Sequence, residues 1–438
     1  MKRCLAGVGL FVFSYCSLTL AQDATMFRGN LQHTGVYNAA GVPKFNAIKW
    51  KFHTGGRVIG SPAIVKGMVF VGSTDGNFYA IDADSGTQKW KFTTKAWEVS
   101  SAAIDSGVAY FLSYDGNFYA LDAATGLLKW KFKTEGERHY AGTHLHYLQP
   151  ATESMPDPWD FYLSSPAVWS GTVYFGSSDG NVYALDALSG AMKWKFKTGD
   201  VVHSSPAIAD GTLYVGSWDR NLYAIDAAIG KEKWRFKTGD DPDAHNHIGI
   251  QSSPAVVDGV VYFGSRDAYA YAVDAATGQQ LWKFSTDGSW VNNSMVVQNG
   301  KAYFGTSIPG IMHAVDAKTG KVVFDLPTGT PVFASMALAG DTLYLGNFGG
   351  KLTAIDLKTQ KPAWVFDSDG AKQNAGPMTN ADGSIKFETV FASSNLYYED
   401  MVLAVHKLFT MGTILSSPVV VGDTVYFGST DGNLYAVQ

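Results

Sequence analysis

The sequence predicts an all-β fold, an eight-bladed β-propeller of four-stranded antiparallel blades whose ring is closed by an N-terminal strand pairing with the last blade. Three observations carry that prediction. A unit of about 40 residues recurs eight times along the 438-residue chain. Each unit alternates short apolar strands with Gly, Asp and Ser turn residues at fixed offsets. The last unit stops one strand short, while the chain begins with one strand to spare. The composition agrees with a turn-rich β protein: 46% hydrophobic, 14% aromatic, 17% charged, with 47 glycines.

The first element is "MKRCLAGVGLFVFSYCSLTLAQDA". Lys2 and Arg3 precede a short apolar stretch and then Thr19-Leu20-Ala21, the pattern of a secretory signal peptide over residues 1–21. The apolar stretch is short for a membrane-spanning anchor. Cys4 and Cys16 both fall inside it, so the mature chain is expected to hold no cysteine and no disulfide. "FSYC" lacks the small residues a lipoprotein signal places before its cysteine, so a lipid anchor at Cys16 is not expected. The expected location is periplasmic or secreted, and the expected state a monomer. The formal net charge of −5 drops to −7 when Lys2 and Arg3 leave, which disfavours nucleic acid as a partner.

Residues 22–46 read as a leader and 47–438 as one propeller domain. The serine of "SPA" or its equivalent marks each unit, at Ser61, Ser101, Ser165, Ser205, Ser253, Ser294, Ser335 and Ser417. In the third unit "SPAVWS" gives a first strand, "TVYFGSS" a second, Asp179-Gly180 a tight hairpin, "NVYALDA" a third strand and "AMKWKFKT" the fourth. "AIKWKFHT", residues 47–54, is a fourth strand with no blade before it, and the last unit ends at Gln438 without one. Pairing the two closes the ring and leaves no open edge around it.

Spacings between the serines exceed 40–41 residues at three places, giving insertions 135–164, 239–252 and 369–416. The last could hide a ninth blade. Residues 369–416 lack the repeat signals, however, and Tyr398, Met401, Val402, Val405, Leu408 and Phe409 fall at helical spacing before Gly412, so a loop and helix are expected. All three insertions join a fourth strand to the next first strand. These connectors should share a face with the Asp-Gly hairpins, and a face that collects every long insertion is expected to have a task.

The pattern Ala-x-Asp-x-x-x-Gly-x-x-x-Trp is complete at Ala80, Ala120, Ala184, Ala224 and Ala272, while Phe324 replaces Trp in the sixth unit and Gln360 replaces Gly in the seventh. Seven equivalent acids cannot share one catalytic site, so Asp82, Asp122, Asp186, Asp226, Asp274, Asp316 and Asp356 are read as turn-capping residues. Trp50, Trp90, Trp130, Trp194, Trp234, Trp282 and Trp364 are read as blade-locking residues, with the small Ala leaving room for an indole from the neighbouring blade.

This pattern resembles the tryptophan-docking repeat of the PQQ-like β-propeller family, which includes quinoprotein dehydrogenases and BamB-type proteins of the outer-membrane assembly machinery. "FRGNLQHTG", residues 27–35, resembles the leader of such propellers. The resemblance implies one of two functions. The first is a non-catalytic extracytoplasmic scaffold presenting its elaborated face to an envelope protein or small ligand. The alternative is a PQQ-dependent oxidoreductase with quinone and calcium near the axis, for which Arg57, Glu98 and Asn292 or Asn293 would be the imitating ligands. The ring of adjacent cysteines that clamps the quinone in such enzymes has no counterpart here.

Two further clusters are candidate sites. Two positions before each anchoring serine stand Ile59, Val99, Leu163, His203, Gln251, Asn292, Phe333 and Leu415, so three consecutive blades turn polar at the axis. Four positions before stand Arg57, Trp97, Phe161 and Trp290, and strand alternation puts both sets on one face. Together with Glu98 they suggest an aromatic-walled pocket for a small ligand, or a wet channel that merely tolerates polar groups. His139, His144 and His146, then His203, then His245 and His247 occupy three consecutive connectors. They suggest a Zn²⁺ or Cu²⁺ site completed by Glu135, Glu137, Asp240, Asp241 or Asp243, or else histidines that only hydrogen-bond to backbone.

Overall fold

The computed structural model describes residues 23–239, 249–391 and 397–438. The signal-peptide reading of residues 1–21, with both cysteines, lies outside the described residues, as do His245, His247, Asp240, Asp241 and Asp243.

Eight antiparallel sheets surround one axis, spanning 63–93, 103–133, 167–197, 207–237, 255–285, 296–327 and 337–367 for blades one to seven. Blade eight joins Val419–Val421, Thr424–Gly428 and Asn433–Val437 to the N-terminal Ile48–His53, which pairs antiparallel with Asn433–Val437 in the register Trp50↔Ala436 and Phe52↔Leu434. The described residues of 369–416 hold no ninth blade. They carry helices α1 (Asp369–Met378), α2 (Phe387–Val390) and α3 (Tyr398–Thr410), and α3 buries Ala404, Val405, Leu408 and Phe409.

The serines used as register marks close the ring. The backbone N–H of Ser61 donates to Ser101 Oγ, and the same step runs from Ser101 to Ser165, Ser165 to Ser205, Ser205 to Ser253, Ser294 to Ser335, Ser335 to Ser417 and Ser417 to Ser61, at 2.8–3.2 Å. A small hydroxyl residue recurs there because the innermost strands lie too close for a larger side chain, and each buried N–H needs an acceptor.

Six of the seven blade-locking tryptophans bond to the next blade, while Trp364 bonds to the leader. Trp50 Nε1 donates to Ala83 O at 2.9 Å, Trp90 to Ala123 O, Trp130 to Ala187 O, Trp194 to Ala227 O, Trp234 to Ala275 O and Trp282 to Ala317 O. The indole lies on the turn glycine of the neighbouring blade. A Cβ on Gly86, Gly126, Gly190, Gly230, Gly278 or Gly320 would stand 2.6–2.9 Å from the ring of Trp50, Trp90, Trp130, Trp194, Trp234 or Trp282. Only glycine can approach so closely and also take the positive φ of that turn. In the repeat Phe324 takes the place of the locking tryptophan and Gln360 that of the turn glycine it would meet, and Phe324 and Leu357 lie in one apolar cluster. The seven aspartates cap their turns as read: Asp82 Oδ1, for example, accepts from the backbone N–H groups of Asp84 and Ser85.

The leader is a strap across the ends of the first strands. Ala24 bridges Ile64, and the carbonyls of Thr25, Leu31, Gln32 and Gly35 accept from Ile104, Ile208, Val256 and Leu338. Val36–Tyr37 then adds a short parallel strand to blade seven, and Val42 O accepts from Trp364 Nε1 at 2.7 Å.

Candidate functional site

The site lies on the hairpin side of the ring and is built on the second-to-third-strand turns. In each typical turn a tyrosine from the third strand holds the aspartate: Tyr79 on Asp75, Tyr119 on Asp115, Tyr183 on Asp179, Tyr223 on Asp219, Tyr271 on Asp267 and Tyr435 on Asp431, at 2.6–2.8 Å. The same aspartates accept backbone N–H groups from the connectors, such as Gly55, Glu135, Gly199, Gly239 and Gly370. Connector and hairpin are thereby fixed to each other.

On this base the segment 135–164 folds over the axis. It pairs Ala141–Gly142 with Met155–Pro156 and meets the 369–416 insertion through a Gln149–Tyr397 bridge. Its acidic residues enter a continuous buried network. Glu137 accepts from Ser177 Oγ at 2.6 Å and from Ser178 Oγ and N at 2.8 Å. Ser178 Oγ lies 2.8 Å from His203 Nε2, and His203 Nδ1 lies 2.9 Å from Asp160 Oδ1. Gln251 Nε2 donates to the same Asp160 oxygen at 3.1 Å, and Arg266 Nη2 donates to Gln251 Oε1 at 2.9 Å. Arg266 Nη1 reaches Asp157 at 2.5 Å, and His146 Nε2 lies 3.3 Å from the other Asp157 oxygen. The guanidinium is held between Trp218 and Trp290, at 4.4 and 4.5 Å from their ring centres, and Tyr140 stacks on Trp218 at 4.3 Å.

The order Ser178, His203, Asp160 matches that of an acyl-transfer triad, but its surroundings give it another role. Ser178 is fully buried, and its hydroxyl proton goes to Glu137 rather than to the ring. His203 has Ser178 Oγ against one ring nitrogen and Asp160 against the other. Burial disfavours a charged ring, but the Asp160 carboxylate and its hydrogen bond outweigh burial and hold the His203 pKa above its ordinary value. Burial pushes the Glu137 carboxyl up against its serine hydrogen bonds. Burial also opposes ionisation of Asp157, yet Arg266 and then His146 hold it well below the usual carboxylate range. The network is a latch that fastens the insertion to blades three, four and five.

The candidate residues occupy separate compartments. Ile59, Val99, Leu163, His203, Gln251, Asn292 and Phe333, seven of the eight positions two before the serine, line a narrow axial cavity of about 40 Å³ together with the serine ring. Arg57 and Trp97 lie above it in a cleft of about 140 Å³, joined by His139, Tyr398, His406 and Phe409. Arg57 lies 4.6 Å over the Phe409 ring, and Trp97 is 45% exposed. Trp290 lines a third, apolar pocket of about 290 Å³ with His146, Trp159, Ile308, Phe387, Phe391 and Met401. Between these compartments Trp159, Phe161, Phe333, Phe348 and Phe409 pack ring on ring and plug the axial mouth. Glu98 belongs to none of the three. It is buried, accepts from Thr94 Oγ1 at 2.5 Å, and burial raises its pKa well above the ordinary value.

The four described histidines of the metal reading hold different partners. His139 donates from Nδ1 to Asp160 O at 2.7 Å, His144 is exposed, His146 faces Asp157 and His203 faces Asp160. Among the described residues no group of three or more His, Cys, Asp or Glu is gathered to hold a metal ion.

Nor do the residues fit a bound quinone with calcium. Arg57, Glu98 and Asn292 stand in a surface cleft, a closed core position and the axial cavity, and Asn293 binds Gly305 and Val332 backbone. A cavity of about 40 Å³ admits only a few waters, at about 10–15 Å³ for each.

Sequence reasoning missed Arg266, Trp218 and Phe348, yet a signal for them existed. The residue after the turn serine, or its equivalent, is the most variable place in that loop: Thr74, Tyr114, Ser178, Trp218, Arg266, Ser307, Phe348 and Thr430. Arg266 is the lone charge in that series.

A family profile described as outer membrane protein assembly factor BamB matches residues 46–144, 152–287 and 266–405. Similar solved structures include BamB from Moraxella catarrhalis, with 16% identity, coverage of 90% of this chain and 99% of that one, and a TM-score of 0.65. A europium-containing methanol dehydrogenase has 16% identity, coverage of 95% and 98%, and a TM-score of 0.67. Quinohemoprotein alcohol dehydrogenase from Comamonas testosteroni has 14% identity, coverage of 95% and 80%, and a TM-score of 0.67. At such identities the likeness concerns the fold alone. A comparison with curated protein sequences gives no match.

Proposed function

Because the chain belongs to the outer membrane protein assembly factor BamB family, we propose that it is a non-catalytic extracytoplasmic scaffold that holds a protein partner on its insertion-bearing face. One observation carries the reading: the axial mouth is plugged by Trp159, Phe161, Phe333, Phe348 and Phe409, while the surface around the plug stays open. A dehydrogenase would need that space for a cofactor; a scaffold needs the rim. The rim offers what protein anchors use, with aromatic and apolar pockets beside a few charges. Trp97, Ile308, Phe387 and Leu403 are exposed there, near the Arg57 cleft and the Trp290 pocket. Among the described residues no helix is long and apolar enough to cross a membrane, so the partner or an anchor elsewhere would fix the scaffold to the envelope.

The test places a photocrosslinking residue at Leu403 or Ile308 and, as the control, at exposed Leu188 in the blade-three turn that joins its third and fourth strands. Crosslinked adducts with outer-membrane assembly proteins are expected from the first two positions and not from Leu188. Equal adducts from all three, or dye reduction that appears when the protein is supplied with PQQ and calcium, would overturn the scaffold reading.

A further inference from the structure

The narrow cavity on the propeller axis is a second site, independent of the partner face, and we propose that it binds one small inorganic anion of the halide class. Its wall is the serine ring: Ser61, Ser101, Ser165, Ser205, Ser253, Ser294, Ser335 and Ser417 all line it. On seven of the eight steps the serine oxygen already accepts a backbone N–H from the blade before, which leaves its own proton to be placed. Among the described residues none of these hydroxyls donates to a protein acceptor. Asn292 lines the same cavity, is 5% exposed, and neither its amide nitrogen nor its oxygen has a partner. Converging O–H and N–H donors therefore meet in a space whose lining includes no aspartate or glutamate.

Charge selects an anion over water alone. Arg28 is 1% exposed and donates only to backbone carbonyls, those of His33, Thr34, Met295 and Met336. No carboxylate pairs with it among the described residues, and burial lowers its pKa to about 10. Met295 and Met336 directly follow Ser294 and Ser335 of the ring, and Phe27, next to Arg28, lines the cavity. A buried cation without a counter-charge therefore lies on the same sector as Asn292, and buried charges are normally paired. Water could satisfy the hydroxyls but not the charge. The size of about 40 Å³ fits a single ion with a little water and rejects organic carboxylates.

The experiment uses the full mature chain and bromide as the probe. Crystals grown or soaked in sodium bromide should give an anomalous bromine peak in the cavity beside Asn292, absent in Asn292→Leu. In solution the melting midpoint should be a few degrees higher in chloride or bromide than in gluconate at equal ionic strength, because a ligand held only by the folded state stabilises it. Asn292→Leu should lose that difference. Ordered water without a bromine peak in the wild-type cavity overturns the proposal, even if the variant fails to fold. A peak undiminished in Asn292→Leu overturns the role given to that residue.

Discussion

Replacing Arg266 by Met should release the segment 135–164 from the propeller. Methionine keeps much of the volume between Trp218 and Trp290 but supplies no charge and no donor. The change removes hydrogen bonds to Asp157 Oδ2 at 2.5 Å, Trp159 O at 3.0 Å and Gln251 Oε1 at 2.9 Å. Both members of the Arg266–Asp157 pair have fully buried side chains, so the main penalty is the carboxylate left behind, with Trp159 N–H and His146 Nε2 still facing it. Breaking a buried pair on one side costs about 3–5 kcal/mol. Because the pair fastens an insertion rather than a blade, the loss should register as local opening before the ring unfolds. Amide hydrogen exchange across residues 135–164 reads that opening directly, and denaturant unfolding reads the global part. The double variant Arg266→Met with Asp157→Asn should recover part of the loss, because the stranded charge is gone. A single-variant cost below about 1 kcal/mol, or singles and double that add within about 0.5 kcal/mol, would refute the latch.

Glu98, Glu137 and His203 all have folded pKa values above their ordinary ones, Glu98 and Glu137 through burial and His203 because Asp160 outweighs burial. A raised value means that the folded state holds the proton more tightly. That stability is complete below the unfolded values of about 4.3 for Glu and 6.5 for His and is lost as pH climbs through the folded ones. The melting midpoint should therefore fall as pH rises from about 6.5, less steeply in Glu137→Gln, and a flat wild-type profile above that pH would contradict the assignment. Trp50→Ala, which strips the closing strand of its indole and its bond to Ala83 O, should cost about 3–5 kcal/mol by denaturant unfolding. An unchanged midpoint would mean that closure does not rest on this contact. Phe324→Trp should destabilise by about 1–3 kcal/mol, because an indole there meets the Gln360 side chain where other blades have glycine. Adding Gln360→Gly, at φ 58°, should recover that loss in thermal denaturation, and a harmless Phe324→Trp single variant would break the pairing of the two positions.

The ring was legible in the repeat alone. Eight serine marks, a spare first strand and a missing last one fixed blade number and closure, because a propeller is made of nearest-neighbour contacts repeated at one period. The same repeat put seven of the eight positions two before the serine at the axis, since register within a blade is local. The helix at Tyr398–Thr410 was legible from its apolar spacing alone. Tertiary structure decided how the elaborated face is used. Arg57 and Trp97 in one cleft, Trp290 in another pocket and Asn292 beneath the plug cannot be read from a shared offset, because segment 135–164 intrudes between them and divides what the repeat alone would leave as one mouth. Asp157 meets Arg266 across 109 residues and Asp160 meets Gln251 across 91. No periodic signal marks such pairs: the inserted segment has no repeat to follow, and its polar groups find partners only when the chain folds back and each buried donor or charge must be satisfied.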